Sequence, residues 1–284
     1  MHIRQMILDD VALGMRLKSQ NGWNQLEADW RRQMDLEPDG CFVAELAGQS
    51  IGTACACVFG DIAWINLVLV DQPHRGQGIG TALLQQVVQF LDERGIATIR
   101  LDATPLGQPV YEKLGFTGDF TLARYEGTLP SPPGRGAGGG GAGRVETLAT
   151  KDLPAVIELD EAVTKARREK LLHHLVEAAP DLMRKYVVAD RLEGYCLCRP
   201  GAHAWQLGPL QGSPEAGRRL LDDSAHRFGG QRVYLDVPTE HADAVAAVQS
   251  LGLTVQRSFL RMTRGRRISE NLELLWSSFG PEKG

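Results

Sequence analysis

The sequence contains few cysteines, and their number and spacing exclude two classes of protein. Five cysteines occur in 284 residues, and four of them form the Cys-x-Cys pairs Cys55–Cys57 and Cys196–Cys198. An odd number of cysteines in strand-like segments is typical of reduced, buried thiols rather than of a disulfide framework. Two residues on one strand face, with no histidine at ligand spacing, cannot complete a tetrahedral zinc site. We therefore expect neither disulfides nor a metal centre.

The sequence also lacks a long apolar run. Its most hydrophobic stretch, residues 62–70, is interrupted by Asn66 and is far shorter than the about 20 residues that span a bilayer. Residues 1–10 lack the apolar core of a signal peptide. Together with the reduced cysteines, these features predict a cytoplasmic protein that does not insert into membranes.

A strong excess of charge of either sign is absent too. The chain has 31 Lys and Arg against 35 Asp and Glu, a net charge of −4. Residues 1–127 contain 10 basic and 16 acidic residues, and residues 128–284 contain 21 and 19. The acidic first part favours a cationic ligand, and the lack of a basic stripe argues against nucleic acid as a partner. Two basic clusters, residues 165–170 and 261–267, are predicted to be solvated ends of helices and strands.

Among the features that are present, the stretch from Ile65 to Leu84 carries the most information. Its β-branched apolar beginning, residues 65–70, predicts a buried strand. The turn Arg75-Gly-Gln-Gly-Ile-Gly80 follows, and apolar residues then recur at helical spacing. Glycines let a bulky group approach the backbone, and free amides at a helix N-terminus attract anions. The pattern therefore predicts a strand, a glycine turn and a helix that together bind a pyrophosphate.

Two common nucleotide-binding loops do not fit this turn. A Walker loop ends in Gly-Lys-Ser/Thr, whereas Gly80-Thr81 contains no lysine. A Rossmann loop has its third glycine three residues after the second and follows the first strand of its domain. Here Gly80 comes two residues after Gly78, and several predicted strands precede it. Nucleotide-binding domains of both kinds are excluded.

Arg75-x-x-Gly78-x-Gly80 resembles the acyl-CoA signature of the GNAT N-acetyltransferases, Gln/Arg-x-x-Gly-x-Gly/Ala. Further along the chain, Val110-Tyr-Glu-Lys-Leu-Gly-Phe116 resembles the second signature of the family, a short helix with a tyrosine that ends at Gly-Phe. The resemblance implies an α/β fold with a mixed, largely antiparallel sheet flanked by helices, and acetyl-CoA as the co-substrate. The predicted order of elements is that of the family: strand, two helices, three antiparallel strands, helix, strand, helix and strand.

The resemblance also implies roles for the residues of the two signatures. Backbone groups at the end of the strand would bind the pantetheine arm and polarise the thioester, and the amides of the turn would bind the pyrophosphate. Tyr111 matches the general acid that protonates the departing thiolate, and a tyrosine that only packs the last helix is the alternative. Arg75 could add charge or lie exposed outside the turn. The implied coenzyme-binding residues are Leu69, Val70, Arg75, Gly76, Gln77, Gly78, Ile79, Gly80 and Thr81.

The general base has several acidic candidates. We assign Glu27 on the second predicted helix, which Asn24 is expected to cap. Asp61 and Asp102 are alternatives. Carboxylates in such positions are more often solvated than basic catalysts, and a water relay would need none of the three. Asn66 interrupts an apolar strand and needs a polar partner. The candidates for the acceptor side are Trp23, Asn66, Asp102 and Thr104, the last of which stands where the family often has asparagine.

A glycine-rich segment divides the chain. Seven glycines lie between Gly134 and Gly143, in a stretch with no apolar residue that could anchor a core. We therefore predict a linker at residues 128–143 between a first domain, residues 1–127, and a second, residues 144–284.

The second half repeats the pattern of the first. Val145–Leu153 matches Ile3–Val11 in polarity, and Val248 stands where Tyr111 does, at an offset of 137. Arg-x-x-Gly-x-Gly is missing from this half. We interpret it as a degenerate second GNAT domain, which closes the acceptor cleft or forms an intramolecular pseudo-dimer, in a chain that is a monomer or a homodimer.

These observations predict an N-acetyltransferase that transfers the acetyl group of acetyl-CoA directly to a primary amine. The sequence does not identify the acceptor. A sensor that binds acyl-CoA without catalysis is the alternative, since the turn alone would suffice for binding. Tyr111 favours the enzyme, whereas the lack of an obvious base leaves the sensor open.

Overall fold

A computed structural model describes residues 1–131 and 143–284 of the chain. Its first half has the predicted order of elements, so the predicted fold is confirmed. Within residues 1–131 the elements are β1 (His2–Gln5), α1 (Val11–Gln20), α2 (Glu27–Leu36), β2 (Cys41–Leu46), β3 (Gln49–Phe59), β4 (Ile62–Val70), α3 (Ile79–Glu93), β5 (Thr98–Ala103), α4 (Gln108–Lys113) and β6 (Thr117–Thr128).

The second half repeats this order and adds one short strand. Within residues 143–284 the elements are β7 (Gly143–Thr147), α5 (Leu153–Thr164), α6 (Glu169–Ala178), β8 (Arg184–Val188), β9 (Arg191–Arg199), β10 (Trp205–Gly212), α7 (Pro214–Arg227), β11 (Arg232–Pro238), α8 (Ala242–Ser250), β12 (Thr254–Gly265) and β13 (Leu275–Ser277). Most of the predicted linker, residues 132–142, lies outside the described residues.

The two halves share one sheet because they exchange their last long strands. The strand order is β1-β2-β3-β4-β5-β12-β6-β11-β10-β9-β8-β7, and β13 pairs with β10. Thus β12 of the second half lies between β5 and β6, and β6 of the first half lies between β12 and β11. Neighbours along this order are antiparallel except for the parallel pairs β4–β5 and β10–β11. A sheet of this kind cannot be divided between the halves without exposing strand edges.

Two buried ion pairs join the exchanged strands to their new neighbours. Arg261 of β12 donates to both carboxylate oxygens of Asp102 on β5, from Nε at 2.7 Å and from Nη2 at 2.9 Å. Arg124 of β6 binds Asp236 of β11 in the same bidentate way, with both distances at 2.7 Å. All four side chains are at most 8% exposed. Bidentate geometry and deep burial make these pairs sensitive to the loss of either partner.

Several polar residues that the sequence suggested were solvated are buried. In the two basic clusters, Arg261 and Arg168 are fully buried, the latter against Asp160 with nitrogen–oxygen distances of 2.9 and 2.5 Å. The prediction of solvated ends was therefore wrong for both arginines. Asn24 does not cap α2, because its Oδ1 accepts hydrogen bonds from the amides of His203 and Ala204 in the other half. Local sequence cannot reveal such contacts between halves.

The two faces of the sheet are covered by different helices. Leu101 and Ala103 of β5 pack in one core with Leu83 and Val87 of α3. Because side chains alternate along a strand, Asp102 points to the opposite face. On that opposite face, Trp30 of α2 packs in a separate core together with residues of α1 and β4. Residues near the middle of the sheet can therefore be assigned to an α3 face or to an α1–α2 face.

Three further features hold for the described residues as a whole. All five cysteines are buried and free. Within residues 1–131 and 143–284, no helix combines the length and the apolarity needed to cross a bilayer. The same residues contain no group of three or more His, Cys, Asp or Glu side chains arranged to hold a metal ion.

Because buried ion pairs join the exchanged strands, breaking the pair of Arg124 and Asp236 should strongly lower the stability of the protein. Asp236→Ala leaves the Arg124 guanidinium buried without its counter-ion, and we expect the free energy of unfolding in urea to fall by about 3–5 kcal/mol. Asp92→Ala is the matched control, since it breaks the bidentate but exposed pair with Arg264 and should cost less than about 1 kcal/mol. Equal losses for the two variants would contradict a structural role for the buried pair.

Candidate active site

A cavity of about 730 Å³ opens where strands β4 and β5 separate. The two strands pair only from Ile62–Trp64 to Thr98–Arg100. Beyond these pairs they diverge, and every residue from 65 to 70 of β4 lines the cavity. The gap leaves main-chain groups of β4 without a neighbouring strand on that side, and an extended ligand can pair with them.

A bulge in β4 shapes the wall of this cavity. The register between β3 and β4 shifts between Thr53 and Cys55, and Leu67 has a φ of +51°. The hydroxyl of Thr53 donates to the carbonyl of Leu67 at 2.8 Å, and both residues are buried. A left-handed conformation costs a non-glycine residue about 1–3 kcal/mol and persists only when the surroundings enforce it. Such bulges re-aim groups next to functional sites.

The glycine turn lies at one end of the gap. Gly76 and Gly78 have φ values of 75° and 80°, which L side chains rarely adopt, and Gly78 directly precedes α3. Gly80 differs, because a Cβ there would lie 3.5 Å from Val70, an ordinary contact. The fold therefore does not itself require glycine at position 80. No side chain caps α3, and its first amides remain available to an anion.

Arg75 links the turn to the end of β4. Its Nε donates to the carbonyl of Val70 at 3.1 Å, and its Nη2 donates to Oδ1 of Asn21 at 3.0 Å. The carbonyl of Val70 is therefore already engaged. Arg75 itself is exposed, so its guanidinium can still attract a phosphate while it holds the turn in place.

Tyr111 lies on α4, across the gap from β4. Its ring packs edge to face against Phe116, with centroids 6.1 Å apart. A Cβ on Gly107 would come within 2.9 Å of this ring, so glycine at that position leaves room for the tyrosine. The hydroxyl makes no hydrogen bond with the described residues, and burial raises the pKa of Tyr111 to about 12. The phenol is therefore protonated at neutral pH and can donate to an anion in the cavity.

Most of the predicted site residues line this one cavity, and two do not. Gln77 is exposed in the turn, and Glu27 is exposed on α2, where it pairs with Arg31 at 2.7 Å. Glu27 therefore does not line the gap. The predicted residues that line the cavity are Trp23, Asn66, Leu69, Val70, Arg75, Gly76, Gly78, Ile79, Gly80, Thr81, Asp102, Thr104 and Tyr111.

The acceptor-side candidates differ in what they already bind. Both carboxylate oxygens of Asp102 are held by Arg261, so this residue serves the fold and was wrongly regarded as solvated. Thr104 accepts a hydrogen bond from the amide of Gly107 at 3.3 Å and so helps to begin α4. Asn66 donates to the carbonyl of Trp64, but its buried Oδ1 has no partner among the described residues. Asn66 is therefore the acceptor-side candidate whose side-chain oxygen can still accept a hydrogen bond from a ligand.

Sequence reasoning missed five cavity residues that lie on the exchanged strands or on the C-terminal segment. They are Arg124, Arg257, Phe259, Pro281 and Glu282. Oε1 of Glu282 accepts hydrogen bonds from Gln25 and from Arg199 of the second half. Its Oε2 is buried and has no partner among the described residues. A buried carboxylate oxygen without a partner is costly unless a ligand uses it. No local signal points to these residues, because their positions depend on pairing between the halves.

The corresponding gap in the second half is filled by the chain itself. Strands β10 and β11 pair only at Trp205–Val233 and Gln206–Tyr234 before they separate. Strand β13 enters this gap and pairs with Leu210 and Gln211 of β10. A bulge precedes Leu210 just as one precedes Leu69. Leu210 and Gln211 therefore correspond to Leu69 and Val70 of the first half.

Trp276 of β13 completes this filling. A Cβ on Gly217, in the first turn of α7, would clash with the indole of Trp276. The same indole packs against His241, with centroids 4.9 Å apart. The indole thus fills the space at the N-terminal end of α7. The corresponding space at the N-terminal end of α3, beside the glycine turn, is open.

Comparison with known proteins gives the family. Residues 12–116 match a model described as acetyltransferase (GNAT) family. Residues 156–277 match a second model, described as acetyltransferase (GNAT) domain. The chain belongs to the GNAT acetyltransferases. It is an acyltransferase with two GNAT domains in tandem, in a family that uses acetyl-CoA as co-substrate.

Similar proteins agree with the tandem fold. An uncharacterized N-acetyltransferase of Bacillus subtilis, YitH, is 23% identical over 240 residues, 84% of this chain and 82% of its own. An acetyltransferase from Pyrococcus horikoshii has a crystal structure with a TM-score of 0.83 and 23% identity, over 100% of this chain and 95% of its own. A tandem GNAT protein from the clavulanic acid biosynthesis pathway has a TM-score of 0.64 and 14% identity, over 95% of this chain and 99% of its own. Identities this low establish the fold alone.

Proposed function

We propose that the first GNAT domain of this protein transfers the acetyl group of acetyl-CoA to a primary amine. One observation carries the proposal: a single cavity joins the open gap of β4, the glycine turn and Tyr111. Each part meets one need of acyl transfer, namely a wall of main-chain groups, a site for the pyrophosphate and a proton donor. The two exchanged halves act as an intramolecular pseudo-dimer that completes the cavity.

The filled gap of the second half indicates that a pantetheine arm can fit the open gap of the first half. Strand β13 pairs with the main chain of Leu210 and Gln211 in the equivalent gap. An extended chain with amide groups is therefore a suitable occupant of such a gap, and a pantetheine arm is an extended chain with two amides. By this correspondence, main-chain groups of Leu69 and the amide of Val70, whose carbonyl is taken by Arg75, bind the arm and help to polarise the thioester carbonyl.

The chemistry requires one proton acceptor and one proton donor. The amine nitrogen forms a bond to the acetyl carbonyl carbon, and the bond from that carbon to sulfur breaks. At pH 7 an amine with an ordinary pKa arrives as an ammonium ion, and we assign Glu282 to accept the proton that it loses before its nitrogen attacks, because Oε2 of Glu282 is the buried cavity carboxylate oxygen without a partner among the described residues. The second proton leaves the nitrogen after the attack and balances the one that the thiolate gains. Tyr111 donates its phenolic proton to the thiolate, and its high pKa keeps that proton available.

The first prediction of this proposal concerns Tyr111. Tyr111→Phe removes the proton donor but keeps the ring that packs on Phe116, so we expect kcat to fall about 100-fold or more while the affinity for acetyl-CoA stays unchanged. The measurement is thiol release with a panel of amines, together with calorimetric binding of acetyl-CoA. Binding without turnover on any amine would favour a non-catalytic acyl-CoA sensor over the enzyme.

The second prediction concerns Glu282. Glu282→Gln keeps the shape of the side chain but cannot accept a proton, so the rate at pH 7 should fall about 100-fold. The loss should shrink toward pH 10, because amines with ordinary pKa values near 10 then arrive already neutral. Glu27→Gln is the matched control, an exposed carboxylate outside the cavity, and should retain the wild-type rate. A loss for Glu282→Gln that is constant with pH would refute the base assignment.

A further inference from the structure

Two guanidinium groups face each other at the wall of the cavity. Arg257 of β12 and Arg124 of β6 are direct cross-strand partners, and both line the cavity. Arg124 is neutralised by Asp236. Arg257 forms no ion pair with the described residues, and its Nε donates to the uncharged Oε1 of Gln256 at 2.9 Å. Like charges directly opposite each other destabilise a sheet, so this arrangement carries an uncompensated cost.

The nearby carboxylates bind other arginines rather than Arg257. Glu126 binds Arg232 at 2.8 Å and accepts a hydrogen bond from Gln256. Glu282 binds Arg199 through Oε1, and its Oε2 makes no hydrogen bond to Arg257. Burial and the neighbouring charge of Arg124 both lower the pKa of Arg257. One positive charge of the cavity wall therefore lacks a counter-ion within the described residues.

The internal repeat shows which residues occupy the positions equivalent to Arg124 and Arg257 outside the cavity. Arg124 corresponds to Arg261 at the offset of 137, and Arg257 corresponds to Phe120 at the same offset. Phe120 is the direct cross-strand partner of Arg261, whose guanidinium carbon lies 5.3 Å from the centre of its ring. An aromatic ring thus lies opposite Arg261, outside the cavity. Opposite Arg124, at the cavity wall, an arginine takes the place of that ring, and the guanidinium carbon of Arg124 lies 5.1 and 5.3 Å from the ring centres of Tyr234 and Phe259.

Arg257 lies on the face of the sheet opposite α3. Arg261 is the fourth residue after it on one strand, without an intervening register shift, so both share a face. Arg261 faces Asp102 on the side opposite α3. The glycine turn leads into α3, and Tyr111 packs in the same core as α3. The charge of Arg257 therefore lies on the face away from α3 and Tyr111, where the coenzyme phosphates would not reach it.

We infer that the amine acceptor carries a carboxylate and that Arg257 binds it. A single uncompensated cation matches the single charge of a carboxylate, and the planar guanidinium fork fits its two oxygens. This inference rests on the proposed function and adds a substrate class to it. Glu282 then lies on the amine side of the acceptor, and Arg257 lies on its carboxylate side.

Pairs of amines that differ by one carboxylate test the inference. We would measure kcat/KM for tyrosine against tyramine, lysine against cadaverine and serine against ethanolamine, with phosphoethanolamine as a further anionic amine. The wild-type protein should favour the carboxylate member of at least one pair about 10- to 100-fold, the range of a hydrogen bond to a charged group. Comparing the kcat/KM ratio of the same two amines between the wild type and a variant cancels the difference in pKa between those amines.

Arg257→Phe is the informative variant, since it reproduces the stable pairing of Phe120 with Arg261. It should reduce the preference to about 3-fold or less and leave the affinity for acetyl-CoA unchanged, because it removes only the charge that binds the carboxylate. Arg264→Ala is the matched control on the same strand, where Arg264 pairs with Asp92 at the surface, and should keep the wild-type preference.

The outcomes separate this inference from the proposed function. Turnover of the decarboxylated amines at equal or higher kcat/KM, or a preference for phosphoethanolamine alone, would overturn the carboxylate assignment and leave the acetyltransferase intact. A loss of acetyl-CoA affinity in Arg257→Phe would assign the arginine to the coenzyme instead. Binding of acetyl-CoA with no turnover on any amine would overturn both proposals.

Discussion

The exchange of strands between the halves, held by two buried bidentate ion pairs, is the constraint on which the rest of the structure depends. Arg261 with Asp102 and Arg124 with Asp236 have the same geometry and are related by the internal repeat. Each pair takes its arginine from one half and its aspartate from the other. Removing the carboxylate partner of a buried guanidinium is costly, so the two pairs favour this arrangement of neighbouring strands. Arg261 also binds Glu270, at 2.9 Å. The active-site cavity is built across this junction.

The exchange also explains how the second domain, which lacks both GNAT signatures, contributes residues to the cavity of the first. The second half has lost the glycine turn, and its gap is filled by β13 and by Trp276. The same C-terminal segment continues to Glu282, which lines the open cavity of the first half. One segment therefore closes one gap and completes the other. The two halves therefore differ: the first contains the open gap, and the second contributes residues such as Arg257 to the wall of its cavity.

The features predicted from the sequence are those with local causes. The positive φ at Gly78 and the position of Tyr111 follow from short motifs, and Leu69 follows from the end of one apolar strand. Glu282 and Arg257 could not be predicted, because they reach the cavity only through pairing between strands distant in sequence. Glu27 was chosen for its predicted helix, and the structure leaves it at the surface. Arg261 looked solvated because its partner, Asp102, lies in the other half.

The central claim is that one open gap binds the coenzyme while its duplicate is filled by the chain. A calorimetric titration of the full chain with acetyl-CoA tests this claim directly, because it counts sites independently of the acceptor. The account predicts one molecule bound per chain. Two molecules per chain would contradict the filled second gap, and no binding would contradict the role of the glycine turn.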